Sequence, residues 1–329
     1  MYRLYGGLGS PYSLKVRAVL RYRRLPHIWI AANDPTTMGA LFAQVRAPVI
    51  PVLEFPDGTV MNDSTPLVAE LERRHAERSV VPDDEAQAFA AILLEDMADE
   101  WATKAMFHHR WNLDRDQIQM GRWLAFDRFR GQGRERIETF GQTFRDRQTG
   151  RMALVGCTPQ NAPVIEASAE RAFDLLDVMA TDEGYLFGSR PSLADFAWFG
   201  QFSQLATDPT PHDLMLARAP YLMRWIAGLD DASGVEGEWR EEPTAAMLGL
   251  LQLAAEVYLP FLLANAQAAG RGEETFSVEL MGRPYSQGVF KYQVRCLAQL
   301  REAYRALSDA ARTRVDGWLP AAARAALAG

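Results

Sequence analysis

The pattern of apolar residues changes near residue 77, and this change constrains the fold more than any other feature of the chain. Residues 1–77 mix short β-prone runs with helix signals, whereas residues 85–234 have an almost wholly helical pattern. The charged, proline-containing stretch 77–84 indicates a linker. We therefore expect an α+β chain of two domains, 1–77 and 85–234, followed by a mostly helical extension over 235–329.

The first part predicts one small mixed-sheet unit with the element order β-α-β-α-β-β-α. Ser10 is placed to cap the first long helix, with Pro11 at its first position. Asp63 and Ser64 are placed to cap the last helix, which has Pro66 in its first turn. Strands are predicted over residues 2–5, 27–31, 49–55 and 59–61, the last two as a hairpin around the turn 56–58.

Beyond the linker the sequence predicts a series of helices separated by prolines. In the helical domain they are expected over residues 85–111 and 164–179, from residue 192, and over 221–229. In the extension we expect helices over 243–268, 291–308 and 309–328, and a strand over 275–280 that turns back through residues 282–284.

The composition of the chain argues against nucleic-acid binding, metal binding and a membrane location. The chain is 48% hydrophobic and 23% charged, with a formal net charge of −7 and no basic tract, which argues against nucleic-acid binding. Two cysteines and five histidines without zinc-ligand spacing predict no metal site and a reducing compartment. The apolar stretch 247–263 is short and interrupted by polar residues, and the start of the chain lacks a secretory pattern. We expect a cytoplasmic protein that does not bind membranes.

Three local signals lie within residues 9–66. Pro51 opens a strand, which is common for a proline at a sheet edge. The run 62–66 caps a helix, and the same helix N-terminus could accept a carboxylate while Asp63 accepts an ammonium group. A γ-glutamyl group carries both. At Ser10, a hydroxyl and a helix N-terminus together would favour the thiolate form of a thiol. Each signal alone is also explained by ordinary strand and helix ends.

Together these signals make the chain similar to the glutathione transferase superfamily over residues 1–230. The resemblance lies in LYGGLGSPYSLKVRAVL, VIPVLEFPDGTVMNDSTPLVAELERRH and LFGSRPSLADFAWFGQF. The first two resemble the thioredoxin-like domain of that family. The third resembles the capping box of its helical domain, with Ser192 as the cap and Asp195 three residues on.

The resemblance implies a role for each residue that carries it. It implies that Pro51 is cis, that the Ile50 backbone pairs with the cysteinyl part of glutathione, and that Asp63 and Ser64 hold the γ-glutamyl end.

The residue beside the glutathione sulfur is implied to be Ser10, with Tyr5 and Tyr12 as alternatives. The run Ser-Pro-Tyr-Ser-x-Lys-Val-Arg is similar to the family members that use Ser or Cys at this position. Position 10 is not a cysteine, which weakens the hypothesis of thiol–disulfide exchange.

The first long helix of the helical domain is expected to line a pocket for the second substrate. Trp101 and Met106 would supply an apolar wall, and His109 or Arg110 polar contacts. Ordinary helix packing explains the same residues equally well.

The resemblance implies an enzyme that adds or substitutes glutathione thiolate on an apolar electrophile, and a homodimer. Two alternatives remain open. One is a glutathione-binding or protein-interaction module without catalysis, and the other is a carrier of apolar ligands.

Overall fold

In the computed structural model, which describes residues 1–329, the first part of the chain folds around a four-stranded mixed sheet. The strands lie in the order β2-β1-β3-β4, with β1 parallel to β2 and antiparallel to β3. The predicted element order is confirmed. The elements are β1 (Tyr2–Gly6), α1 (Pro11–Tyr22), β2 (His27–Ala31), α2 (Pro35–Phe42), β3 (Val52–Glu54), β4 (Val60–Asn62) and α3 (Ser64–Arg74).

The ends of α1 and α3 differ in how they are capped. The Ser10 side chain accepts a hydrogen bond from the Ser13 backbone N–H at 3.3 Å, so the predicted cap of α1 is confirmed. Asp63 occupies the N-cap position of α3 with a φ of 75°, and its carboxylate makes no capping hydrogen bond. Asp63 therefore occupies the predicted N-cap position, but the predicted capping hydrogen bond is not formed, and its φ lies outside the extended range that N-cap residues usually adopt.

Eight helices follow between the sheet and the extension. They are α4 (Glu85–Met97), α5 (Thr103–Asn112), α6 (Asp114–Phe129), α7 (Arg134–Thr149), α8 (Ala162–Asp182), α9 (Leu193–Leu205), α10 (Pro209–Arg218) and α11 (Pro220–Leu229). The helix predicted over 85–111 is interrupted by the π-helical turn Ala98–Ala102, and α6, α7 and α10 are additional to the prediction.

The helices α6 and α7 form a hairpin whose close contact depends on two glycines. A Cβ atom on Gly121 would lie 2.9 Å from the Gly141 carbonyl oxygen, so only glycine lets the helices approach this closely. Gly141 is the one buried residue of α7. Its apolar stripe is short: only Ile137, Phe140 and Phe144 recur on one face, and all three are half-buried, so the sequence marks α7 only weakly as an amphipathic helix.

The buried helix α9 joins the two parts of the chain. Ser192 and Asp195 form a reciprocal capping box at its start, which confirms the prediction. Every residue of α9 is buried. Gly200 allows the helix to lie against α1, since a Cβ there would be 2.7 Å from the Pro11 carbonyl oxygen.

The extension shares the main apolar core of the chain. Its elements are α12 (Ala245–Leu253), the π-helical turn Ala254–Tyr258, α13 (Leu259–Gly270), β5 (Thr275–Leu280), β6 (Arg283–Gly288), α14 (Lys291–Ala306), α15 (Asp309–Trp318) and α16 (Ala321–Ala328). The hairpin β5–β6 is as predicted. The single helix predicted over 309–328 is two helices separated by Pro320, which cannot continue a helix.

Side-chain hydrogen bonds connect the extension to the helical domain. Tyr258 donates its hydroxyl hydrogen to Asp96 at 2.6 Å, and the buried Lys104 ammonium donates to Gln287 at 2.7 Å. The helical stretch Ala245–Gly270 has the length and hydropathy of a membrane span, but 61% of its apolar 18-residue window is buried inside the protein. Its apolar side chains belong to the shared core.

Candidate functional site

Four segments leave the sheet of the first domain at one common edge. Tyr5 pairs with Val52, and Val52 pairs with Asn62 on its other side. Because neighbouring strands hold their register, the residues just beyond these pairs lie side by side. The Ile50–Pro51 peptide bond at this edge is cis, as the resemblance implied. The segments that lie together at this edge are residues 6–10, 31–33, 50–51 and 63–64.

Ser10 and Ile50 line a cavity of about 600 Å³ between this edge and the helical domain. Ser10 is half-buried, and its oxygen accepts the Ser13 N–H of the first turn of α1. The side chain makes no other hydrogen bond, so its O–H remains free to donate into the cavity. The N-terminus of α1 adds a positive partial charge at the same place.

Arg110 holds the loop that precedes Ser10. It is buried, pairs with Asp208 at 2.8 Å and donates to the Gly9 carbonyl oxygen at 3.0 Å. Gln204 accepts from Arg110 at 2.8 Å and donates to the Leu8 carbonyl oxygen at 3.1 Å. Burial raises the pKa of Asp208, although Arg110 opposes that shift. Arg110 lines the cavity, but its guanidinium is engaged in these contacts, which position the loop before Ser10.

The two tyrosine alternatives lie away from the cavity. Tyr5 is buried against Met38 and Leu41, and its hydroxyl donates to Glu54 at 3.3 Å. Tyr12 donates to the Asp99 carbonyl oxygen at 2.9 Å, within the contact between the two domains. Burial raises the pKa of both hydroxyls, in Tyr5 with a further contribution from Glu54. Neither side chain is placed to meet a thiol in the cavity.

The carboxylate of Asp63 lies at the start of α3, partly exposed and without an ion-pair partner. Its one side-chain contact is with the Tyr292 hydroxyl, 3.4 Å away. Burial raises the pKa of Asp63, while the nearby Lys15 opposes the shift. Tyr292 belongs to α14, so the extension reaches the edge of the site. The sequence offers no local signal for this contact, which joins residues 229 positions apart.

Beneath Asp63 lies a buried ion-pair network centred on Lys15. Its ammonium group contacts Glu95 and lies 2.7 Å from an Asp99 oxygen, and all three side chains are buried. Burial alone would lower the pKa of Lys15, but the two carboxylates raise it. Ser64 donates its hydroxyl hydrogen to Asp99 at 3.3 Å. The network therefore fixes the first turn of α3 against the helical domain.

The cavity wall opposite Ser10 comes from three helices. Met106 of α5 lines it, as the sequence suggested. Phe107 and Trp111 of the same helix also line it, and the remaining side chains were not predicted because they belong to α6, α7 and the residue after α6. The side chains on this wall other than Met106 are Phe107, Trp111, Leu124, Asp127, Arg128, Arg130, Phe140, Phe144 and Gln148. The Phe140 and Phe144 pair, four residues apart on one helix face, is the signal in the sequence that could have indicated them.

Trp101 and His109, which the sequence placed in the substrate pocket, lie outside the cavity. The Trp101 ring packs against Phe261 and Tyr285, and its N–H donates to Ser168 at 3.0 Å. Neither residue lines the cavity. Burial lowers the pKa of His109 to about 4, so its ring is neutral at pH 7. No group of three or more His, Cys, Asp or Glu side chains is arranged to hold a metal ion.

Comparison with known families decides the assignment. Residues 4–79 match the model of the glutathione S-transferase N-terminal domain, and residues 132–228 match that of the C-terminal domain. Together the two matches span just over half of the chain. The chain belongs to the glutathione S-transferase superfamily. Its thioredoxin-like sheet domain and helical domain are those of a glutathione S-transferase, and a glutathione transferase-like function is supported at this level.

Solved structures resemble this chain only at low sequence identity. The glutathione S-transferase of Rhodospirillum rubrum is 17% identical with a TM-score of 0.45, covering 76% of this chain and 92% of the other. That of Methylobacterium radiotolerans, solved with glutathione sulfonate, is 22% identical with a TM-score of 0.44, covering 74% and 97%. The β-etherase LigF of Sphingobium is 18% identical with a TM-score of 0.49, covering 71% and 97%. No curated protein matches the chain.

Proposed function

We propose that this glutathione S-transferase joins the glutathione thiolate to an apolar electrophile held in the cavity, by substitution or addition. The observation that carries the proposal is the Ser10 hydroxyl: Ser10 lines the cavity, and its Oγ donates to no acceptor within the protein. Hydrogen bonding to a thiolate stabilises the charged, nucleophilic form of glutathione and lowers the pKa of its thiol. The N-terminus of α1 acts in the same direction.

The common sheet edge supports one continuous glutathione site. Asp63 would accept the ammonium group of the γ-glutamyl end, and the N–H groups at the start of α3, beside Ser64, would bind its carboxylate. The Ile50 backbone, before the cis Pro51, would pair with the cysteinyl part and so direct the sulfur towards Ser10. Held in this way, thiolate and electrophile meet without the entropic cost of a bimolecular encounter.

In a substitution, the sulfur forms a new bond to the electrophilic carbon as the leaving group departs with its electron pair. In an addition, the electron pair moves onto the acceptor, which then takes a proton from water. In both, the thiol proton is lost before attack, and the protein assists by favouring the thiolate. Met106 and the aromatic wall would give the electrophile an apolar surface to bind.

We expect Ser10→Ala to lower kcat with glutathione and a chlorinated nitroaromatic electrophile by about 10- to 100-fold, the loss of one charge-assisted hydrogen bond. The control is Ser308→Ala, since Ser308 caps α15 at the same 3.3 Å distance but lies on the extension. The control should retain wild-type kcat. Equal kcat in Ser10→Ala and wild type would contradict the proposal, and glutathione binding without turnover of any electrophile would favour a binding module.

We further propose that the protein is a cytoplasmic homodimer, with domain bounds of 1–77, 85–234 and 235–329. Family membership supports the dimer, and two buried free thiols agree with a reducing compartment. Sedimentation at micromolar concentration distinguishes monomer from dimer.

A further inference from the structure

The inner wall of the cavity is a continuous row of aromatic rings. Trp111 of α5 lies 6.1 Å from Phe144 of α7, measured between ring centroids, and Phe144 stacks on Phe140 at 5.9 Å with 27° between the ring planes. Phe107 adds a further ring 6.3 Å from Trp111. Aromatic rings in such arrays prefer offset or edge contacts with another ring. The wall therefore suits a planar aromatic group better than a flexible chain.

Two arginines at the C-terminal end of α6, Arg128 in its last turn and Arg130 just after it, bring positive charge to the same cavity. The Arg128 guanidinium lies 5.4 Å from the centroid of Phe140, and that of Arg130 lies 5.1 Å from the centroid of Phe126. Both side chains are exposed and line the cavity, and neither forms an ion pair or a side-chain hydrogen bond. The arginine named by the sequence, Arg110, is committed to Asp208.

One acidic side chain opposes these two cations. Asp127 also lines the cavity, and burial raises the pKa of its carboxyl while Arg130 opposes that shift. Arg110 is neutralised by Asp208, so the cavity keeps an excess of one positive charge in a protein whose formal net charge is −7. A protein of this net charge repels anions at long range, and a cationic cavity reverses that repulsion locally.

We propose that the apolar part of the electrophile is a planar aromatic ring that lies on Phe140 and Phe144, and that the ring also carries a carboxylate, which Arg128 and Arg130 bind. The reaction of this electrophile with glutathione rests on the proposed function, but its binding in the cavity does not. With a chloro-nitrobenzoate, the glutathione sulfur would bond to the ring carbon that carries chlorine. Chloride would leave with the electron pair of the broken bond, and the thiol proton would go to solvent.

The test compares 4-chloro-3-nitrobenzoate with its methyl ester, which has the same ring and leaving group without the charge. Binding of each is first measured by calorimetry in the absence of glutathione, and kcat/KM is then measured with glutathione present. For each compound, the value in a variant is divided by the value in the wild type. The difference in intrinsic reactivity between the acid and the ester therefore cancels. The acid should bind more tightly than the ester, and added salt should reduce that difference.

Arg128→Gln combined with Arg130→Gln should weaken binding of the acid about tenfold and that of the ester less than twofold. Asp127→Asn should strengthen binding of the acid several-fold. The control is Arg122→Gln, on the same helix, where the arginine pairs with Glu138 at 2.9 Å and does not line the cavity.

Equal binding of acid and ester, or an equal loss of both in the double variant, would overturn the inference. Selective binding of the acid without turnover would uphold the inference and count against the proposed function instead. All four replaced side chains are partly or fully exposed, so the variants are expected to fold.

Discussion

Replacing Lys15 by methionine is expected to lower the free energy of unfolding by about 3–5 kcal/mol, because it leaves two buried carboxylates without a counter-charge. Lys15 is fully buried, and Glu95 and Asp99 are nearly so. The two acids would then lie close together in a medium of low dielectric constant, where they repel each other. Denaturant unfolding followed by tryptophan fluorescence measures the effect.

Lys291→Met is the matched control, since Lys291 is exposed and its loss should change the free energy of unfolding by less than about 0.5 kcal/mol. Adding Glu95→Gln and Asp99→Asn to Lys15→Met should recover part of the lost stability, because the uncompensated charges disappear. A loss below about 1 kcal/mol in Lys15→Met would show that water or protonation relieves the carboxylates, contrary to the buried ion-pair description.

Asp63→Asn should weaken glutathione binding by about 10- to 100-fold, the expected loss of a charge-assisted hydrogen bond to the γ-glutamyl ammonium group. Asparagine is the replacement of choice because it has nearly the size and shape of aspartate, so it removes the charge with the least disturbance of a residue that has a φ of 75°. The side chain makes no capping hydrogen bond, so the substitution removes charge without removing a helix cap. Calorimetric titration with glutathione measures the affinity.

The control for Asp63→Asn is Asp83→Asn, which removes the same charge from an exposed position in the linker. It should bind glutathione as the wild type does. If both variants bind equally well, the γ-glutamyl end does not lie at Asp63, and the assignment of the sheet edge as the glutathione site fails with it.

The parts of the site that could be predicted from the sequence are those determined by local backbone chemistry. Ser10 and Pro11 specify the start of α1 within four residues, and the turn 56–58 specifies the hairpin that places residues 50–51 beside Asp63. These signals act over short stretches of chain and do not depend on what packs against them.

The rest of the site depends on contacts between distant segments. Gly141 is the one fully buried residue of helix α7, and its contact with Gly121 sets how closely α7 approaches α6, which the short apolar stripe of α7 does not specify. The sequence predicts that Arg110 contacts a substrate, but its guanidinium instead forms an ion pair with Asp208, 98 residues further along the chain. Tyr292 meets Asp63 only because the extension folds back onto the helical domain. No short-range pattern records any of these three contacts.

The central claim is that Ser10 stabilises the glutathione thiolate, and the pKa of the bound thiol tests it most directly. Thiolate absorbance in the ultraviolet is measured against pH for glutathione bound to wild type, to Ser10→Ala and to Ser308→Ala. The pKa of the bound thiol should lie below that of free glutathione in wild type and in Ser308→Ala, and about 1–2 units higher in Ser10→Ala. The same thiol pKa in wild type and Ser10→Ala would contradict the account.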